Sequence, residues 1–247
     1  LFMAFLNNYL IAGAAGSAAN AFWLGFDAWQ WMFWMELLPA TIFLGTLLLI
    51  PESPRYLVAA GREQEARTVL QTLSAVSDVG AKIDDIRSTL EEKRRPKLTD
   101  VIMKHTGRIH PLVWVGIGLA SLQQFTGINV VFYYGGTLWQ AAGFTEASAL
   151  LTNVINGTVN VLFTFVAIAL VDRVGRKPLL LVGSLGQAVM LGIMAYVFGT
   201  SGVAESGALQ MEGNMGLVAL IAANGYIAFF AFSWGPIMWD MMGEMFP

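Results

Sequence analysis

The sequence predicts an all-α membrane protein of about six transmembrane helices with a helical cytoplasmic loop. Three observations predict it: long apolar runs, scarce charge, and cations confined to one side. Hydrophobic residues make up 56% of the 247 positions and charged residues 13%, with a mean hydropathy of +0.60. A soluble domain of this size carries about 25% charged residues to wet its surface. The deficit means that much of this surface faces lipid.

The apolar runs cover residues 1–15, 30–50, 111–139, 148–171, 178–199 and 216–246. A helix needs about 20 such residues to cross about 30 Å of hydrocarbon, so the last five each reach across and the first reads as a span cut at its start. The first run is not a signal peptide, because no basic segment precedes it and Asn7 and Asn8 interrupt it. All 14 Lys and Arg lie in two places: eleven between Arg55 and Arg108, and the trio Arg173, Arg176 and Lys177. If the chain crosses at every run, loops 51–110 and 172–177 share one face. The connections 16–29, 140–147 and 200–215 share the other and hold only Asp27, Glu146, Glu205 and Glu212. This asymmetry places both basic loops in the cytoplasm. Trp23, Trp29, Trp31, Trp34 and Trp139 are expected in aromatic belts at the membrane interfaces.

In the loop 51–110, Ser53 and Pro54 read as an N-cap and first helical residue, with Gly61 as the stop. Two more helices are expected, about Glu63–Leu73 and about Ile83–Arg95. The chain has no cysteine, which excludes disulfides, thiolate metal sites and cysteine nucleophiles. His105 and His110 lack a third ligand at useful spacing, so neither a metal nor any cofactor is expected. No nucleic-acid partner is expected either.

Polar groups at membrane depth carry the functional information. Gln123, Gln124 and Asn129 interrupt an apolar span that continues to Tyr133 and Tyr134. On a straight helix Asn129 would lie roughly 140° from Gln124 and 240° from Gln123. A break at Gly127 would let the three converge, so they read as lining a cavity in preference to acting as interhelical glue. Asn153, Asn156, Gly157, Asn160 and Thr164 form one helical stripe that must face protein or water. The Gly235–Pro236 step is expected to open the last helix beside Trp239. Amides that donate and accept, with an aromatic plate, suit a ring of hydroxyls with apolar C–H faces, so a sugar or polyol is the expected ligand.

Three acids lie in or at the ends of spans. Glu36 sits where a carboxylate costs roughly 2.5–3.5 kcal/mol on insertion scales, and burial there would raise its pKa. It reads either as a proton-coupling candidate or as a structural partner for another helix. Asp240 and Glu244, four apart, are expected to meet Arg173, Arg176 or Lys177 across a helix interface.

The segments Pro51–Arg55, Gln123–Asn129 with Tyr133 and Tyr134, Asp172–Lys177, and Trp234–Pro236 through Trp239 to Pro247 resemble the sugar porter family of the major facilitator superfamily. Residues 29–40 and 233–236 are most similar to its bacterial proton symporters. The resemblance implies a partial major facilitator fold equivalent to helices five to ten of twelve. Residues 1–50 would be the last two helices of the N-terminal half, 51–110 the cytoplasmic helical linker, and 111–247 the first four helices of the C-terminal half. A chain of that extent is not expected to transport alone. The resemblance further implies sugar contacts at Gln123, Gln124, Asn129, Asn160 and Trp239, and a gate at Tyr133 and Tyr134. It implies an intracellular charge network of Glu52, Arg55, Asp172, Arg173, Arg176, Lys177 and Glu244. Glu36 matches a glutamate that tunes a proton-binding aspartate of the first helix. The partners would be a monosaccharide, protons and the bilayer, in a multi-pass protein of the plasma membrane (the bacterial inner membrane). Gln30, Asp240 and Gly243 depart from the family's usual residues. The rival readings are a uniport facilitator of sugars or polyols and a transport-inactive sugar sensor. A membrane-embedded enzyme is the third rival and has little support, since no nucleophile, base and metal ligands gather at membrane depth.

Overall fold

The computed structural model describes residues 1–73, 78–92, 108–203, 209–211 and 213–245. His105, Glu205, Glu212, Phe246, Pro247 and the last residues of the expected helix at 83–95 lie outside them. The chain divides into two compact units, Leu1–Glu36 with Pro111–Pro247, and Leu37–His110.

Helix α1 (Phe2–Ala15) ends at Gly16, whose φ of 82° only glycine adopts cheaply. Strands β1 (Ala21–Trp23) and β2 (Phe26–Asp27) then pair antiparallel, with Trp23 opposite Phe26. Leu24 and Gly25 make the tight turn at φ 53° and 78°, the geometry of a two-residue hairpin. No turn residue announces this hairpin, because Leu24 is not a residue that favours positive φ. Helix α2 (Ala28–Met35) starts at Asp27, whose backbone N–H donates to Gln30 Oε1 at 3.0 Å. Gln30 thus closes a capping interaction. Trp31 stacks on Trp23 at 4.8 Å and meets Trp34 edge-on at 5.2 Å.

The second unit is built from α3 (Leu37–Leu49), α4 (Pro54–Ala59), α5 (Glu63–Leu73) and α6 (Val79–Glu92). No residue of α3 is buried. Leu57, Val58, Ala66, Leu70 and Ile83 form one small core that joins α4, α5 and α6. Ser53 and Pro54 start α4 as expected, and Gly61 ends that turn at φ 77°. Helix α6 begins at Val79 and not near Ile83, because the Asp78 carboxylate accepts the Ala81 N–H at 3.0 Å and caps an extra turn. Arg62–Glu65, Lys82–Asp85 and Arg87–Glu63 ion pairs lie on the surface of this unit.

The first unit resumes with α7 (Pro111–Phe125), α8 (Ile128–Tyr133), α9 (Gly135–Ala141), α10 (Glu146–Val174) and α11 (Arg176–Thr200). A short hairpin of β3 (Gly202–Val203) and β4 (Leu209–Gln210) precedes α12 (Met215–Ala231) and α13 (Ile237–Met245). Among the described residues, four helical stretches are long and apolar enough to cross a bilayer: Ala28–Leu49, Pro111–Tyr133, Glu146–Val174 and Arg176–Thr200. Phe2–Ala15 and Met215–Ala231 are shorter apolar helices. The run at 216–246 is therefore two helices, parted at the Gly235–Pro236 step as expected.

Small residues set the packing, as they do between helices in lipid. A Cβ on Gly183 or Gly186 of α11 would overlap Ser233 or the Phe229 ring, and one on Gly225 of α12 would come within 2.8 Å of Met190 Sδ. Gly157 of α10 admits α1, since a Cβ there would sit 3.1 Å from Phe2 Cα. Trp139 corrects the aromatic-belt expectation. It is 4% exposed and anchors a core cluster with Ala142, Ala149, Val197, Ala219 and Ala223. Small alanines around it leave room for an indole that is more apolar bulk than interfacial anchor here. At one end of the unit, Glu146 accepts from Ser17 Oγ at 2.8 Å and from the Ala18 N–H at 2.7 Å. That contact joins two connections that the charge pattern assigned to the same membrane face.

Candidate functional site

The α7 ladder stops at Phe125 because Gly127 takes φ 83°. Thr126 turns its hydroxyl back onto the Gln123 carbonyl at 2.7 Å. From Ile128 a new short helix sets off, so residues before and after the break no longer obey one helical rotation. The break moves Asn129 next to Gln124, whose Oε1 accepts from Asn129 Nδ2 at 3.0 Å. Gln123 and Asn129, 240° apart on an unbroken helix, instead line one cavity of about 350 Å³.

The other walls come from two further helices. Asn160 and Thr164, the lower part of the α10 stripe, face the cavity, as do Phe230 from α12 and Pro236 after it; Phe132 of α8 completes an apolar side. The upper part of the stripe faces protein: Asn153 presses on Gly135, where a Cβ would meet its Oδ1 at 2.7 Å, and Asn156 is 1% exposed. The opening after α12 is held locally. Ser233 Oγ donates to the Phe229 carbonyl at 2.5 Å, the Gly235 N–H to the Phe230 carbonyl at 3.0 Å, and the Trp234 indole to Ser184 Oγ of α11 at 2.7 Å. Gln123 is 7% exposed, and its Oε1 is buried with no hydrogen-bond partner among the described residues. A buried amide oxygen in that state costs about 1–3 kcal/mol unless something donates to it. The cavity therefore offers amide donors and acceptors on one side and two phenyl rings and a proline on the other, with no charged residue among its lining.

Of the five expected contacts, the structure brings Gln123, Asn129 and Asn160 to one cavity and ties Gln124 to it through Asn129. Trp239 is 57% exposed on α13 and does not line it, because Ile237 and Met238 take the buried face of that helix. Tyr133 and Tyr134, exposed, mark the α8–α9 junction. Phe132 and Phe230 were missed: each sits in an uninterrupted apolar run, where no periodicity separates a lining residue from a core one.

Glu36 caps the C-terminus of α2 and is exposed, so the burial expected for it is absent. Its carboxylate has no hydrogen bond among the described residues, and its neighbours Trp34, Met35 and Leu37 are exposed with it. The charge cluster forms around Arg176. Its guanidinium reaches Asp240 Oδ2 at 3.2 Å, Glu244 Oε1 at 2.5 Å and Asp172 Oδ1 at 3.8 Å. Arg173 and Lys177 make no ion pair among the described residues. Glu52 and Arg55, both exposed, flank the start of α4 in the second unit.

A family model described as sugar (and other) transporter matches residues 2–247. The glucose transport protein of Synechocystis sp. is 48% identical over 247 residues, covering 100% of this chain and 52% of its own length. The D-xylose-proton symporter of Escherichia coli is 35% identical over 240 residues, covering 97% of this chain and 45% of its own. The solved structure of the proton:xylose symporter XylE, bound to 6-bromo-6-deoxy-D-glucose, superposes with a TM-score of 0.75 at 33% identity, covering 99% of this chain and 47% of that one. This chain thus spans about half the length of the curated relatives it matches. A match over the whole chain, on a fold of bilayer-length helices, leaves one assignment: the chain belongs to the sugar transporter family of the major facilitator superfamily.

Proposed function

We propose that this chain is part of a plasma-membrane carrier that moves a monosaccharide by alternating access, in symport with protons. The observation that carries the reading is the convergence of Gln123, Asn129 and Asn160, from three separate helices, on one uncharged cavity of about 350 Å³. Ligand pockets fall in the range of about 300–1,000 Å³ and combine apolar walls with a few placed polar groups. Each amide offers a donor and an acceptor, which pairs with a hydroxyl whichever way that hydroxyl points. An anion would call for a cation in the lining, and none is there.

In this reading Gln123, Asn129 and Asn160 hold the sugar hydroxyls, and Gln124 orients the Asn129 amide. Phe132 and Phe230 cover the C–H faces, and Trp239 supplies a further stacking plate when the carrier closes. Tyr133 and Tyr134 gate the opposite end. The Arg176 cluster latches the cytoplasmic side, and Glu36 is the proton-coupling candidate of this chain. The names of the relatives, a glucose transport protein and a D-xylose-proton symporter, support both the substrate class and the coupling.

The test is uptake of D-glucose and D-xylose into proteoliposomes that hold the complete carrier. An imposed inward proton gradient is expected to drive sugar above its external concentration. Uptake that stops at equal concentration removes the proton and leaves a facilitator. No uptake of any neutral sugar or polyol overturns the carrier reading.

A further inference from the structure

The break at Gly127 leaves a backbone oxygen in need of a donor. Val130 gives its N–H to the Gly127 carbonyl at 3.0 Å, not to Thr126, so the Thr126 carbonyl has lost its place in the helical ladder. A carbonyl orphaned in this way inside a membrane protein is costly if left bare. The partner comes from a hundred positions away: the Tyr226 hydroxyl donates to it at 2.6 Å. Tyr226 is wholly buried on α12, among Ile128, Val131, Phe132 and Phe230, which fixes its ring with the hydroxyl aimed at the break. It stands four residues before Phe230, which lines the cavity.

We propose that Tyr226 is a positioning residue for the sugar site: by holding the Thr126 carbonyl it keeps the helix parted at Gly127 and so sets where Asn129 points. The inference rests on the sugar-site reading above and extends it to a residue that does not touch the ligand. Asn129 lies beyond the break, so its placement depends on this bond. Asn160 is on α10, a continuous helix, and its placement does not.

A double-mutant cycle separates positioning from general loosening. Sugar binding is titrated in the complete carrier as wild type, Tyr226→Phe, Asn129→Ala, Asn160→Ala and the two doubles. Tyr226→Phe keeps the ring and its packing, and it is expected to weaken binding roughly fivefold to tenfold, the range of one lost hydrogen bond. With Asn129→Ala that loss should vanish; with Asn160→Ala it should multiply in full. Equal loss on both backgrounds makes Tyr226 a structural residue only, and no loss at all also overturns the proposal. If Asn129→Ala and Asn160→Ala themselves leave binding unchanged, the sugar-site reading has failed instead. Should Tyr226→Phe lower abundance in the membrane, binding is titrated on equal amounts of purified, folded carrier; a loss that depends on Asn129 alone supports positioning, and its absence opposes it.

Discussion

Gly127 does at one residue what no other amino acid does cheaply. Its φ of 83° falls in the left-handed region, and nothing lies within 4 Å of where a Cβ would be. The cost of Gly127→Ala is therefore backbone strain alone, about 1–2 kcal/mol. The variant should unfold at lower temperature and bind sugar more weakly, and thermal unfolding with and without sugar checks both. Gly186→Ala fails for the opposite reason: its φ is ordinary but its Cβ would run into the Phe229 ring. Membrane abundance should fall sharply for that variant and recover in part with Phe229→Ala, which makes the space. The Gly127 break was legible because three amides on one helix could not share a face. The Tyr226 bond was not, since nothing local announces a contact across a hundred positions.

At the scale of elements, polar contacts decide where helices begin and which ones stay together. Glu146 opens α10 and closes on the end of α1 through Ser17 and Ala18. Hydrogen bonds to a charged group contribute about 1.5–3 kcal/mol, so Glu146→Ala should loosen α1 measurably, read as faster hydrogen exchange over residues 9–18. In the second unit the Arg62 guanidinium, hydrogen-bonded to Glu65, holds that carboxyl below its ordinary 4.5. A depressed carboxyl stabilises the folded state above the ordinary value, and the contribution is lost as pH falls through the depressed one. The pair is exposed, so salt screens it. An NMR titration should show the Glu65 midpoint rise towards the ordinary value in Arg62→Ala. The Ser53–Pro54 step and Gly61 made the bounds of α4 readable, though Ser53 makes no side-chain capping bond. The hairpin at 21–27 was hidden because its turn uses a leucine at positive φ, and Trp139 was misplaced because an indole serves a core and an interface equally well.

Across the whole molecule, the wall residue Pro236 links the amide cavity to a second one of about 300 Å³ that holds Asp172, Arg176 and Asp240. The Arg176 guanidinium meets both of those carboxylates and Glu244 besides, and it keeps only 29% of its side chain exposed. Exposed pairs contribute about 0.2–1 kcal/mol each, which suits the latch role proposed above. Arg176→Ala should therefore lower the transport rate more than it lowers sugar affinity, a split that uptake and binding assays together reveal. The charge pattern, the bilayer-length runs and the amides gave the class of this chain before its fold was known. What they left out is the apolar half of the cavity, because Phe132 and Phe230 look like any core residue until the helices are packed. The account stands on a neutral hydroxylated solute being held by those amides. Calorimetric titration of the complete carrier with D-glucose and D-xylose, as wild type and as Asn129→Ala and Asn160→Ala, tests it most directly. Each variant should bind about tenfold more weakly or worse at unchanged abundance in the membrane; affinity equal to wild type in both would contradict the account.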